Sequence, residues 1–188
     1  MKRNRLIIII VVVLCLIFYQ VLKFQYNRLV ALEQKVKQSW AQVENVLQRR
    51  ADLVPNLVMI VKGYAKHEKE LFIDVTNARV SLLSARTVEE KSRASTDLEK
   101  TLGKLLLVVE NYPQLKASAN FLNLQDELAG TENRIAVERK RYNEAVNDYN
   151  RIAGSFPVLL FVRTFGFDSK KPYFQAESTS SQRPDIKL

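Results

Sequence analysis

Hydrophobic residues follow two patterns along this chain. Residues 6–22, Leu6-Ile-Ile-Ile-Ile-Val-Val-Val-Leu-Cys-Leu-Ile-Phe-Tyr-Gln-Val-Leu22, carry no charge over 17 positions. That is the short end of what crosses a hydrocarbon core as a helix. Beyond it, apolar positions return every three or four residues, the helical period. Leu29, Leu32, Val36, Trp40, Val43 and Leu47 form the first stripe. No breaker lies between Leu6 and Arg50, so the pattern predicts one helix that leaves the membrane without stopping. Arg49 and Arg50 fall at its expected end, where cations complement the carbonyl end of the dipole.

Asp52-Leu-Val-Pro55 reads as a start signal. Asp52 can cap a helix, and Pro55 in a first turn forfeits no needed donor. The second run carries Leu53, Leu57, Val61, Tyr64, Leu71, Val75, Ala78 and Leu82, with Lys66-His-Glu-Lys-Glu70 interrupting the stripe. Thr87-Val-Glu-Glu90 has the capping-box pattern and opens a third run through Leu98, Leu102, Leu105, Leu106 and Val109. That run ends near Tyr112-Pro113. The fourth run is the most regular: Phe121, Leu124, Leu128, Thr131, Ile135, Glu138, Tyr142, Ala145, Tyr149 and Ile152 alternate short and long helical steps. This is a bundle seam, and Gly154 just past it is a C-cap signal.

Short connections make neighbouring helices antiparallel. The expected fold is all-α: an N-terminal transmembrane helix continuing into an antiparallel up-down four-helix bundle. Residues 1–23 would be the anchor, 24–155 the bundle, and 156–188 an apolar foot with a flexible C-terminal tail, Ser178-Thr-Ser-Ser-Gln-Arg-Pro184 being its disordered part. The corner at 50–52 would then stand about 40 Å from the bilayer. One mismatch follows: the second and fourth runs are longer than the extramembrane part of the first, so the long helices must tilt, break or overhang.

Composition narrows the chemistry. Gly and Pro number five each in 188 residues, which argues against a turn-rich all-β fold. Cys15 is the lone cysteine, so an intramolecular disulfide and a cysteine-ligated zinc site are excluded. The net charge is +9, but setting aside Lys2, Arg3, Arg5 and Lys23 leaves 25 basic against 20 acidic side chains, a net of +5. Signs alternate along most helices, unlike the dense basic stripe of a nucleic-acid domain, so no nucleic-acid partner is expected. The mild excess suits anionic lipid near the bilayer.

The residues after the apolar run, Lys23-Phe-Gln-Tyr26, offer no small-x-small cleavage site, so an uncleaved anchor is expected rather than a signal peptide. Val13-Leu14 before Cys15 does not fit a lipoprotein signal. The density of Lys2, Arg3 and Arg5 favours an N-terminus inside and a bundle outside the cytoplasm.

Candidate catalytic chemistry is sparse. A carboxylate-bridged metal site in a bundle needs Glu-x-x-His, and Tyr64 stands three residues before His67. His67, set among Lys66, Glu68, Lys69 and Glu70, reads as a solvated surface residue. No catalytic residue, cofactor or metal site is expected. Thr131 and Glu138 are polar intrusions in the fourth seam, read first as a register device paired to a facing cation and second as the lining of a polar pocket. Tyr142-Asn143 and Tyr149-Asn150 repeat at seven residues. The tyrosines fit helix packing, and the amides can bond across helices or to a partner. Residues 156–167, too short to span, either fold back over the bundle end or form a membrane-proximal contact through Phe156, Leu160, Phe161, Phe165 and Phe167.

Several blocks together resemble the LemA family. They are Tyr26-Asn-Arg-Leu-Val30; Gln48-Arg-Arg-Ala-Asp-Leu-Val-Pro-Asn-Leu57; Val61-Lys-Gly-Tyr-Ala65 with His67-Glu68; Tyr112-Pro-Gln-Leu-Lys116; Asn120-Phe121; Gly130-Thr-Glu-Asn-Arg-Ile135; the two Tyr-Asn pairs; Phe156-Pro157; and Phe165-Gly-Phe167. The resemblance implies a bacterial single-pass membrane protein with a helical bundle, similar to adaptors or assembly components and without an established catalytic activity or cofactor; the expected location is the inner membrane. The expected function is a membrane-anchored scaffold or adaptor, partnered by the bilayer and by itself or another envelope protein. The alternatives are a lipid-interacting or sensor-like module, and a hydrolase using Glu138 or His67. Arg49, Arg50, Asp52 and Asn56, family positions off the seam, are the candidate partner surface.

Overall fold

A computed structural model describes residues 2–65 and 67–175 of the protein. Among them lie five α-helices and no strand: α1 (Lys2–Tyr64), α2 (Lys69–Ser84), α3 (Val88–Val109), the single turn α4 (Pro113–Lys116) and α5 (Ala119–Ala153). A 3-10 turn, Val158–Leu160, follows. The fold is all-α, with a long apolar N-terminal helix that runs into a helical bundle. The expected disordered stretch at 178–184 lies outside the described residues.

The chain does not turn at 50–52. α1 does not end at Arg50; it runs on to Tyr64 with Pro55 in its interior. Proline lacks the N–H that would bond the carbonyl four residues back, a defect that normally breaks a helix. Here Arg79 Nε on α2 donates to that carbonyl, Ala51 O, at 2.8 Å. Asp52 does not cap a new helix. Its carboxylate accepts from Gln48 Nε2 at 2.9 Å, one turn earlier on α1. The reversal falls after Tyr64, where the charged patch interrupts the apolar stripe. The expected distal corner at 50–52 is therefore interior to α1. The second sequence run is shared between the end of α1 and α2, so α2 with 16 residues and α5 with 35 are both shorter than the part of α1 beyond Lys23.

The chain forms two compact units. One joins Met1–Ser39 to Glu144–Lys171; the other joins Trp40–Asn143 to the described residues from Pro172 onward. The second unit is the bundle, built from α1 beyond Trp40, α2, α3 and α5 as far as Asn143. Direction is read from its contacts. On α1 and α5, Trp40 meets Tyr142 while Arg50 meets Glu132, so the two run antiparallel. Leu47, Leu57, Leu82, Leu98, Leu105 and Phe121 are among its fully buried side chains. Each contributes about 1.5–3 kcal/mol by leaving water. α3 opens with the expected capping box: Glu90 N donates to Thr87 Oγ1 at 3.1 Å, and Glu90 Oε2 accepts from Thr87 N at 3.1 Å.

In the first unit every side chain from Leu6 to Val21 is exposed. By length and composition α1 is the helix, among the described residues, that could cross a membrane. Further along, Leu29 and Val36 are buried, and Lys35 Nζ pairs with Asp148 Oδ2 at 2.9 Å. α5 ends at Ala153. A Cβ on Gly154 would stand 3.1 Å from the Asn150 carbonyl, so the small residue suits the close turn there.

Candidate functional site

The heptad repeat of Tyr-Asn on α5 holds the backbone at 168–174. In the bundle unit, Tyr142 OH donates to Pro172 O at 2.9 Å. Asn143 Nδ2 donates to Phe174 O at 3.0 Å, and Asn143 Oδ1 accepts from Phe174 N at 2.9 Å. One primary amide thereby satisfies both backbone groups of one residue, as a neighbouring strand would. The Phe174 ring is buried, with Trp40 at 6.1 Å, and Trp40 lies 5.2 Å from Tyr142. Ser92 Oγ on α3 donates to Gln175 O.

The first unit repeats the device. Tyr149 OH donates to Asp168 O at 2.7 Å. Asn150 Nδ2 donates to Lys171 O at 3.0 Å, and its Oδ1 accepts from Lys171 N at 2.7 Å. Lys171 Nζ sits 2.5 Å from Asp168 and 3.3 Å from Glu33, over the Tyr149 ring at 5.5 Å. Burial opposes the Lys171 charge, but the hydrogen bonds to Asp168 and Glu33 outweigh it and raise the pKa. Burial, reinforced by the Glu89 charge, pushes the Tyr142 hydroxyl up to about 12. Burial also raises Tyr149. The sequence exposes the amide row through its period; its partner is an extended segment with no period of its own. Phe174 and Ser92 were therefore missed.

The 156–167 segment divides by face. Val158, Val162 and Phe167 are buried, while Phe156, Leu159 and Leu160 are exposed. Phe161 and Phe165 are half-buried, with ring centroids 5.0 Å apart. Phe165 and Phe167 pack edge-on against Tyr26 of α1, at 5.3 and 5.6 Å. Gly166 between them has φ of 79°, a left-handed conformation that glycine adopts freely. Of the five residues expected to form a membrane-proximal contact, Phe156 and Leu160 are thus fully presented, and Phe167 is committed to packing within its own unit.

The candidate partner surface does not form a corner. Arg49, Asp52 and Asn56 are exposed along α1, but Arg50 is only 5% exposed and belongs to no surface. Its guanidinium lies 3.9 Å from Glu132, and its buried Nε carries no hydrogen bond among the described residues. Asn56 lines a shallow 350 Å³ hollow with Met59, Asn120 and Asn123. A larger groove of 740 Å³ lies between α1 and α2, walled by Val58, Phe72 and Ile73 and flanked by Lys62 and Lys69.

Of the two polar seam residues, Thr131 is buried and its hydroxyl bonds Leu128 O at 2.7 Å, one turn back. Glu138 is mostly buried and pairs with Arg141 of its own helix at 2.7 Å. His67 is exposed. No group of three or more His, Cys, Asp or Glu side chains that could hold a metal ion occurs among the described residues.

These features define a membrane protein in which one apolar helix carries a helical bundle. The chain belongs to the LemA family, whose family model matches residues 39–188. It is 25% identical to magnetosome protein MamQ 2 of Paramagnetospirillum magneticum over 195 residues, covering 90% of this chain and 71% of that one. It is 23% identical to magnetosome protein MamQ of Magnetospirillum gryphiswaldense over the same shares. Protein LemA of Metamycoplasma hominis is 26% identical over 71% of this chain and 62% of its own length. None of these names denotes an enzyme.

Proposed function

We propose that this protein is a non-catalytic scaffold or adaptor of a bacterial inner membrane, with its bundle outside the cytoplasm. The observation that carries the reading is the continuity of α1, a single helix from the exposed apolar segment at 6–21 to the bundle residues ending at Tyr64. A helix that carries both an apolar segment and bundle residues suits a protein that works at a membrane. The relatives support it in that neither the magnetosome protein MamQ nor protein LemA is named for a reaction. Arg49, Asp52 and Asn56 on exposed α1 are the proposed partner surface, in which polar side chains fix orientation. The cationic residues at the N-terminus support the orientation through the positive-inside rule.

The test is the mass of the particle extracted from native membranes into lipid discs without detergent. A large particle of this chain alone supports a self-assembling scaffold, and one containing a second protein supports an adaptor. A lone monomer overturns both. Loss of the larger particle in an Arg49→Glu, Asn56→Arg double variant would assign the surface.

A further inference from the structure

Phe156, Leu159 and Leu160 are 81%, 54% and 70% exposed, an apolar patch on the surface of a short segment. The patch is held firmly from beneath, because Val158 and Val162 are buried and Phe165 and Phe167 close on Tyr26. Tyr26 stands about 6 Å of helical rise beyond Leu22, where the uncharged run of α1 ends. Both the patch and that run belong to the same compact unit. The same unit exposes four basic side chains, Arg163 and Lys170 in the segment and Lys23 and Arg28 on α1. The segment's acid, Asp168, is engaged by Lys171.

We infer that Phe156, Leu159 and Leu160 enter the headgroup–acyl boundary of the bilayer that α1 crosses, giving the protein a second, in-plane membrane contact. The inference rests on the transmembrane reading of α1 and goes beyond the scaffold role. Two observations select lipid as the occupant. The segment that carries the patch is tied to α1 just past the apolar run by the Phe161–Phe165 and Phe165–Tyr26 ring contacts, and the exposed basic side chains of the same unit match anionic headgroups. Three side chains also fall well short of the roughly 800 Å² per partner that a stable protein interface needs.

The experiment uses the full chain reconstituted in vesicles of phosphatidylcholine and phosphatidylglycerol. A nitroxide is placed by Leu160→Cys in a Cys15→Ser background, and its collisions with oxygen, which partitions into lipid, are compared with those of a water-soluble nickel complex. The expected result is an oxygen-to-nickel ratio several-fold above that of a Leu107→Cys label on exposed α3. A Leu14→Cys label reports the span itself. A water-like label at 160 beside a lipid-like label at 14 overturns the inference and leaves the span intact. A water-like label at 14 removes the span, and the inference with it. Should Leu160→Cys fail to fold, a Phe156→Cys label decides by the same criterion.

Discussion

Arg79 Nε donates to Ala51 O across 2.8 Å, and Ala51 is the residue whose carbonyl Pro55 leaves without an intrahelical donor. A side chain 28 positions away thus completes the backbone ladder of another helix. The guanidinium is charged, so the bond falls in the stronger class of about 1.5–3 kcal/mol.

That relationship predicts a coupling. Arg79→Met should destabilise the bundle by about 2 kcal/mol, because a partly buried carbonyl loses its donor. In a Pro55→Ala background, the alanine N–H supplies the bond, and the same Arg79→Met change should cost far less. Thermal unfolding of the four proteins in lipid discs, followed by far-ultraviolet circular dichroism, measures the cycle. Additive effects would show that Arg79 acts through something other than the Pro55 gap.

Asn143→Leu should release the segment beyond Pro172 while leaving the helices formed. Two hydrogen bonds to the Phe174 backbone disappear, a loss of about 2–3 kcal/mol. The readout is hydrogen exchange at the Phe174 amide, which should accelerate strongly in the variant. Asn143→Asp should behave similarly, since a carboxylate cannot donate to the Phe174 carbonyl.

Tyr142 predicts an alkaline limit. Unfolded tyrosine gives up its proton near pH 10, whereas burial and Glu89 hold the folded hydroxyl to about 12. Above pH 10 the unfolded state therefore binds fewer protons than the folded one. Stability is intact below that point and falls between pH 10 and 12, by at most about 2–3 kcal/mol from this group. Tyr142→Phe should flatten the slope in that window, and unfolding curves collected across it would show this.

At the acid end the sign reverses. Backbone N–H bonds from Arg86 and Thr87 hold the Glu90 carboxyl below its ordinary value, and the Lys35 ammonium does the same for Asp148. Their stabilisation is present above the ordinary carboxylate range and is lost as pH falls through their depressed values. Carbon-13 titration of both carboxyls should give midpoints below those of exposed Glu and Asp.

Gly166→Ala forces a side chain into φ of 79°, a strain of about 1–2 kcal/mol. The expected outcome is looser packing of Phe165 and Phe167 on Tyr26, read as faster ring flipping of Tyr26 by NMR in discs.

Much of the architecture was legible because it is periodic. The seam of α5, the Thr87–Glu90 cap and the apolar run all announce themselves in spacing. Pro55 misled because proline speaks only for its own backbone; whether a remote donor rescues the carbonyl is tertiary information, carried here by Arg79. The true reversal after Tyr64 has no proline and showed only as charge interrupting a stripe. At the site, Tyr142, Asn143, Tyr149 and Asn150 stood out by their heptad, but the residues they hold are recognised through main-chain atoms and leave no side-chain signature. Arg50 looked like a surface cation because its burial depends on α5, whose Glu132 no local rule connects to it.

The two asparagine anchors also set where this sequence is free to drift. Asn143 and Asn150 address only the N–H and C=O of Phe174 and Lys171, so exposed Lys170 can change its side chain without loosening the hold. The constraint falls instead on the identity of the main chain. A Lys171→Pro or Phe174→Pro change deletes a donor that no replacement side chain restores, and selection should act against proline there more strictly than against any change of charge or size at Lys170.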